Sequence, residues 1–175
     1  MTVRPFNVLF LCTGNSARSI LAEGILRKDG APRFRAYSAG SYPRGEVNPF
    51  ALKVLDSYGY PTDDLRSKSW DEFAGADAPS MDFIFTVCDD AAGEQCPVWP
   101  GHPATAHWGI DDPSHVAGTD IEKETAFVTA FKYMKTRISL FLALPLDKLD
   151  HLTVKSHLVE IGKAEGASPS AGNRP

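Results

Sequence analysis

The sequence predicts an α/β fold in which a parallel sheet is covered by helices on both faces, and three observations support that prediction. Short apolar runs rich in strand-favouring residues alternate with segments of helical periodicity; each run ends in turn-forming residues; and 175 residues suit one domain around a continuous core. The chain is 43% hydrophobic and 23% charged, and no apolar run is long enough to cross a bilayer. A formal net charge of −4 argues against nucleic-acid binding through a broad basic surface, so any anion specificity must be local. The segment Met1 to Phe6 carries Arg4 and Pro5 and leads into a short apolar run without a small-residue cleavage site, so a cytoplasmic protein without membrane association is expected. The three cysteines, Cys12, Cys88 and Cys96, do not resemble the disulfide framework of a secreted mini-protein and are expected to rest as thiols.

The elements follow in order. Phe6 to Leu11 is an apolar run that breaks into turn chemistry at Cys12-Thr13-Gly14-Asn15-Ser16, a buried first strand and its loop. From Arg18, the residues Ile20, Leu21, Ile25 and Leu26 recur at helical spacing until Asp29-Gly30. Phe34 to Ser38 reads as the second strand, ended by Ala39-Gly40. Asn48-Pro49 then offers an N-cap and a first-turn proline for a helix running to about Tyr58-Gly59. Met81 to Val87 is a third strand that delivers Cys88, and Ala104 to Trp108 a weaker fourth that delivers a loop at Gly109. Glu122 to Leu144 carries a long apolar stripe closed by Pro145. Leu146 to Ile161 is compatible with one more helix, and Gly162 to Pro175, rich in Gly, Ala, Ser and Pro, reads as a disordered tail. The expected organisation is therefore a catalytic domain over residues 1–145, a helical extension over 146–161 and a tail over 162–175.

In a parallel sheet, ligands bind beyond the C-terminal strand ends, where Cys12, Cys88 and the loop after Trp108 all fall. The segment Cys12-Thr13-Gly14-Asn15-Ser16-Ala17-Arg18-Ser19 joins a strand to a helix and places a thiol and a guanidinium on either side of a Gly-containing turn. Backbone N–H groups of such a loop, the helix N-terminus and a bidentate Arg18 suit a tetrahedral oxyanion. The same field favours a thiolate, lowering a cysteine pKa from about 8.5 to roughly 3.5–7.5. Ser19 can donate to the sulfur, and Gly14 and Asn15 tolerate the left-handed conformations the loop needs. A bare Cys-x5-Arg spacing is common; its position between strand and helix, with Gly, Asn and Ser inside, separates it from an ordinary turn around a buried cysteine.

The run Val8-Leu9-Phe10-Leu11-Cys12-Thr13-Gly14-Asn15-Ser16-Ala17-Arg18-Ser19-Ile20-Leu21-Ala22-Glu23-Gly24 resembles the signature of low-molecular-weight protein tyrosine phosphatases and of the arsenate reductases built on the same fold. The likeness extends from about Asn7 to Leu144 and includes Ser38-Ala39-Gly40, Thr86-Val87-Cys88 and His107-Trp108-Gly109-Ile110-Asp111-Asp112-Pro113. It implies a four-stranded parallel sheet flanked by helices, an oxyanion cradle formed by Thr13 to Ser19, and Asp112 as general acid, with Asp111 the nearest competitor for that role. It further implies a relay in which a disulfide passes from Cys12 to Cys88 and then to Cys96. Seven residues separate Cys88 from Cys96, one more than the familiar thioredoxin-coupled pattern.

Arsenate is then the expected substrate and phosphate a competing anion. No tightly bound cofactor is expected, and the reductant is an external thiol, thioredoxin or glutathione with glutaredoxin. Asn15, Glu23, Ser38 and Asp64 resemble positions that form a monovalent cation site in some relatives. A zinc site built from Cys88, Cys96, His102 and His107 is disfavoured by a cysteine spacing outside the usual range, and His115 and His151 carry no assigned role. A phosphotyrosine phosphatase is the competing function. It would use Cys12, Arg18 and Asp112 in the same way but would need neither Cys88 nor Cys96, and Ser114-His115 replaces the paired tyrosines that line many phosphatase clefts.

Overall fold

The computed structural model describes residues 4–88, 99 and 102–168. Strands β1 (Phe6–Cys12), β2 (Phe34–Gly40), β3 (Phe83–Thr86) and β4 (Ala104–His107) form one parallel sheet in the order β2-β1-β3-β4. The run Val8 to Leu11 is apolar at every position because β1 is central and buried on both faces. Alternation sends Val8, Phe10 and Cys12 into the larger core and Leu9 and Leu11 into a smaller one.

Among the described residues four α-helices pack into the larger core: α1 (Arg18–Asp29), α2 (Pro49–Ser57), α3 (Asp120–Leu142) and α4 (His151–Gly162). Helix α2 starts as the sequence predicts, with the Asn48 side chain accepting from Phe50 N at 2.9 Å and Pro49 in the first turn. Helix α3 begins slightly before the predicted Glu122, because Thr119 caps it by accepting from Glu122 N at 3.2 Å. It buries Phe127, Phe131, Met134, Ile138 and Phe141. On the opposite face, Phe73, Met81 and Trp99 cover Leu9, Leu11 and Ile84, with Phe73 supplied by the 3-10 turn Trp70–Phe73. Among the described residues the α-helices lie on the Phe10 face and the 3-10 helix Trp70–Phe73 on the Leu9 face.

The C-terminal part departs most from expectation. Instead of one helix from Leu146, the chain turns after Pro145 and α4 begins at His151, where Asp150 accepts from Thr153 N at 2.7 Å. The tail expected to be disordered from Gly162 is packed as far as Ser168, which is buried. Arg137, fully buried on α3, donates to the carbonyls of Ala164 and Glu165, both at 3.0 Å. The segment is held by backbone carbonyls around a guanidinium rather than by apolar side chains, so its composition misleads. Residues 169–175 lie outside the described residues.

Candidate active site

The C-terminal strand ends converge on one shallow pocket lined by Cys12, Gly14, Ser16, Ala17, Arg18, Arg44, Asp112 and Ser114. Strand β1 delivers Cys12, paired in register with Gly40 of β2. A Cβ on Gly40 would fall 2.4 Å from the Thr13 carbonyl oxygen, so glycine alone lets β2 end flush against the loop. Asn15 turns the loop with φ of 44°, and its fully buried side chain fixes that turn. Its amide donates to Ser19 Oγ at 2.8 Å and Ser38 Oγ at 2.9 Å, and its oxygen accepts from Lys68 N at 2.9 Å. Helix α1 starts at Arg18 with Ala17 as N-cap and no side-chain capping bond, which leaves first-turn N–H groups for an anion.

Cys12 Sγ lies 2.9 Å from Ser19 Oγ. The hydrogen bond from Cys88 is the main cause lowering the Cys12 pKa to about 6; burial opposes it, and the Ser19 hydroxyl and amide and the Arg18 charge add to it. Below that value the sulfur is a thiol and above it a thiolate, so Cys12 is mostly ionised at neutral pH. Alkylation of Cys12 by iodoacetamide should therefore rise through a midpoint of about 6, and Ser19→Ala should move the midpoint upward. A midpoint near the ordinary cysteine value of about 8.5 in the native chain would show that the loop does not hold a thiolate.

Cys88 arrives from the neighbouring strand. Val87 N donates to Leu11 O at 2.8 Å and so continues the β1–β3 pairing, which sets Cys88 beside Cys12, and Thr13 N donates to Cys88 Sγ at 3.3 Å. Both cysteines are buried thiols outside any disulfide. Cys96 lies outside the described residues.

Asp112 faces the thiolate from the loop after β4. Its carboxylate lies 3.3 Å from Arg18 Nη2 and 3.3 Å from His115 Nε2, and it accepts from Ser114 N at 2.9 Å and Ser114 Oγ at 2.7 Å. Burial pushes its pKa up, but the Ser114 hydroxyl, Arg18, the Ser114 amide and His115 together hold it below the usual value. Asp111 is exposed and does not line the pocket. Arg18 is also anchored to this loop, donating from Nη1 to Ile110 O at 2.9 Å.

Asn15, Glu23 and Ser38 do come together, but a fixed charge stands where the resemblance implied an exchangeable cation. The ammonium of buried Lys68 donates to Ser38 Oγ at 3.3 Å and Arg66 O at 2.8 Å and lies 3.5 Å from Glu23 Oε1, while Ser38 Oγ also donates to Glu23. A metal cation at the same oxygens would meet a like charge. Asp64 sits in a left-handed turn with φ of 67°. Among the described residues no three His, Cys, Asp or Glu side chains cluster as a metal site, and His107 Nδ1 instead lies 2.7 Å from Thr86 Oγ1. Sequence reasoning missed Lys68, whose surroundings carry no periodicity. It also missed Arg44, which passes over Gly14 into the pocket and whose signal was a lone cation soon after Ala39-Gly40.

Residues 7–150 match the model of the low molecular weight phosphotyrosine protein phosphatase family. An arsenate reductase of Bacillus licheniformis is 37% identical over 134 residues, covering 77% of this chain and 93% of that protein. An arsenate reductase of Bacillus subtilis is 38% identical over 120 residues, covering 69% of this chain and 83% of that protein. Among solved structures, an arsenate reductase from Archaeoglobus fulgidus superposes with a TM-score of 0.54 at 27% identity, covering 75% of this chain and 98% of that one.

Proposed function

The chain belongs to the low molecular weight phosphotyrosine protein phosphatase family, and from that premise we propose that it reduces arsenate to arsenite. The observation that carries this reading is a second buried cysteine, Cys88, delivered at the end of the strand beside β1 and bonded by the backbone N–H of Thr13, the residue after Cys12, at 3.3 Å. Phosphate ester hydrolysis has no step for that second thiol. Reduction of an oxyanion by two electrons needs a second thiol, which Cys88 is placed to supply. The likeness to arsenate reductases over most of the chain supports the same choice.

Arsenate seats on the loop N–H groups from Thr13 to Ser19 and on Arg18. The Cys12 thiolate attacks arsenic, forming an As–S bond while one oxygen leaves as water. In the resting site Asp112 is a carboxylate paired with Arg18. An entering oxyanion draws the guanidinium to itself and adds negative charge beside Asp112, which raises its proton affinity, so Asp112 takes a proton from arsenate and returns it to the leaving oxygen. The Cys88 thiol then gives up its proton to an arsenic-bound oxygen and attacks Cys12 Sγ. The S–S bond forms, the As–S bond breaks, and its electron pair stays on arsenic, now arsenite. Cys96 attacks Cys88 in turn, and an external thiol, thioredoxin or glutathione with glutaredoxin, reduces the resulting Cys88–Cys96 disulfide. Phosphate competes for the loop as an anion of the same shape and charge.

The test is arsenate-dependent consumption of reductant, measured with thioredoxin and separately with glutathione plus glutaredoxin. Turnover with one of the two, inhibited competitively by phosphate, is expected. Steady hydrolysis of p-nitrophenyl phosphate with no arsenate-dependent oxidation by either system would make the chain a phosphatase.

A further inference from the structure

Residues 163–168 lie beyond the stretch that matches the family and contribute no side chain to the pocket lining. They nevertheless abut the loop that carries Asp112. Helix α4 packs on the end of β4 so closely that a Cβ on Gly162 would fall 2.3 Å from the His107 carbonyl oxygen, and Trp108 Nε1 donates to Leu158 O at 2.9 Å. Past the helix, Arg137 gathers the chain. Its Nη1 donates to Tyr133 O and Glu165 O, both at 3.0 Å, and its Nη2 to Ala164 O at 3.0 Å and Gly162 O at 3.5 Å. No carboxylate pairs with this fully buried guanidinium among the described residues. Its charge is spent on the carbonyls that end α4, where a cation also complements the helix dipole. Gly166 then takes φ of 89°, and a Cβ there would fall 2.3 Å from the Tyr133 ring. So guided, Ala167 bridges antiparallel to Ile110, and Ser168 N donates to Gly109 O at 3.0 Å. Ile110 is the residue whose carbonyl holds Arg18, and Asp112 follows two positions later.

We propose that residues 163–168, locked by Arg137, are a positioning strap for the active site. The strap fixes the backbone at Gly109 and Ile110, and thereby the orientation of Arg18 and of Asp112. It touches neither the oxyanion nor the reacting sulfurs, and it rests on the reading of Asp112 as the proton donor. A loop free to swing would leave the acid off the line to the departing oxygen, where small displacements cost large factors in rate.

Ser168→Pro deletes the amide that bonds Gly109, Ser168→Ala keeps it, and Gly166→Val displaces the strap by a second route. In Ser168→Pro and Gly166→Val, hydrogen exchange at residues 109–116 should speed up about ten-fold, the net worth of roughly one hydrogen bond, while β1 amides keep their protection. The turnover of arsenate should fall about ten-fold with it, and by clearly less in Ser168→Ala, which keeps the amide that bonds Gly109. Asp112→Asn alone should slow the first chemical step roughly 10²- to 10⁴-fold. Adding Ser168→Pro to Asp112→Asn should cost clearly less than it costs in the native chain, because the part of the strap's effect that runs through the Asp112 carboxyl is already lost. Unchanged exchange at 109–116 in both strap variants overturns the proposal. So does faster exchange with native turnover, or a fully additive loss in the double variant. Should Asp112→Asn turn over normally, the acid assignment fails, and the exchange measurement still decides whether the strap holds the loop.

Discussion

Cys12→Ser is expected to bring arsenate reduction below detection while the protein stays folded and still binds phosphate. Two separate losses combine at this one atom. The environment that holds the Cys12 sulfur as a thiolate, with a pKa of about 6, starts from a group that ionises readily; a serine hydroxyl starts many units higher, and the same contacts leave it protonated and a poor nucleophile. The second loss is absolute. An oxygen attached to arsenic cannot be taken up in a disulfide, so no electron pair reaches arsenic even if an ester forms. Folding should suffer little, since serine is smaller, Ser19 Oγ remains 2.9 Å from the vacated position, and Ser19 can bond the new hydroxyl. Arsenite formed in a single turnover, measured alongside urea unfolding and phosphate titration, checks all three statements. Arsenite release near the native rate would remove Cys12 from the reaction.

The residues that a reader of the sequence can place are those whose function depends on neighbours along the chain. Cys12 and Arg18 belong to one strand-loop-helix unit, and the pattern of apolar residues on either side fixes that unit without any distant contact. Asn48 and Pro49 announce α2 for the same reason. Lys68 is the opposite case. Its burial follows from a bridge between Ser69 and Gly40 and from carboxylate and hydroxyl groups on α1 and β2, none of which the irregular stretch around position 68 reveals. The pairing of Arg18 with Asp112 and Ile110 likewise joins elements far apart in sequence. The C-terminal segment was misread through a rule that is sound for apolar cores and blind to carbonyls. Ala164, Glu165 and Gly166 bury little apolar surface, yet Arg137 and the Tyr133 ring, both on α3, fix their path. Arg137 itself falls within an otherwise apolar helical stripe, where its charge argues for the surface until the carbonyls it serves are known.

Cys88→Ser should stop catalytic turnover as completely as Cys12→Ser, but at a later step and with a different product. The first attack needs only Cys12, the loop and Asp112, all of which remain, so arsenate should add to the enzyme and any slow hydrolysis of p-nitrophenyl phosphate should persist. The variant also removes the largest contributor to the low Cys12 pKa unless the serine hydroxyl takes over the hydrogen bond, so alkylation of Cys12 reports whether the nucleophile is still a thiolate. What cannot follow is the S–S bond, because Cys88 is the assigned second sulfur, held beside the loop by Thr13 N at 3.3 Å. Cys96→Ser separates the relay from the chemistry. That variant should release one arsenite per enzyme and stop as a Cys12–Cys88 disulfide, visible by peptide mapping after a single turnover. Native turnover of Cys96→Ser with both thioredoxin and glutathione plus glutaredoxin would make Cys96 a spectator, with the external thiol attacking the first disulfide directly. Native turnover of Cys88→Ser with either donor would sink the relay altogether, since the electron pair would then have to come from a thiol that is not part of the chain.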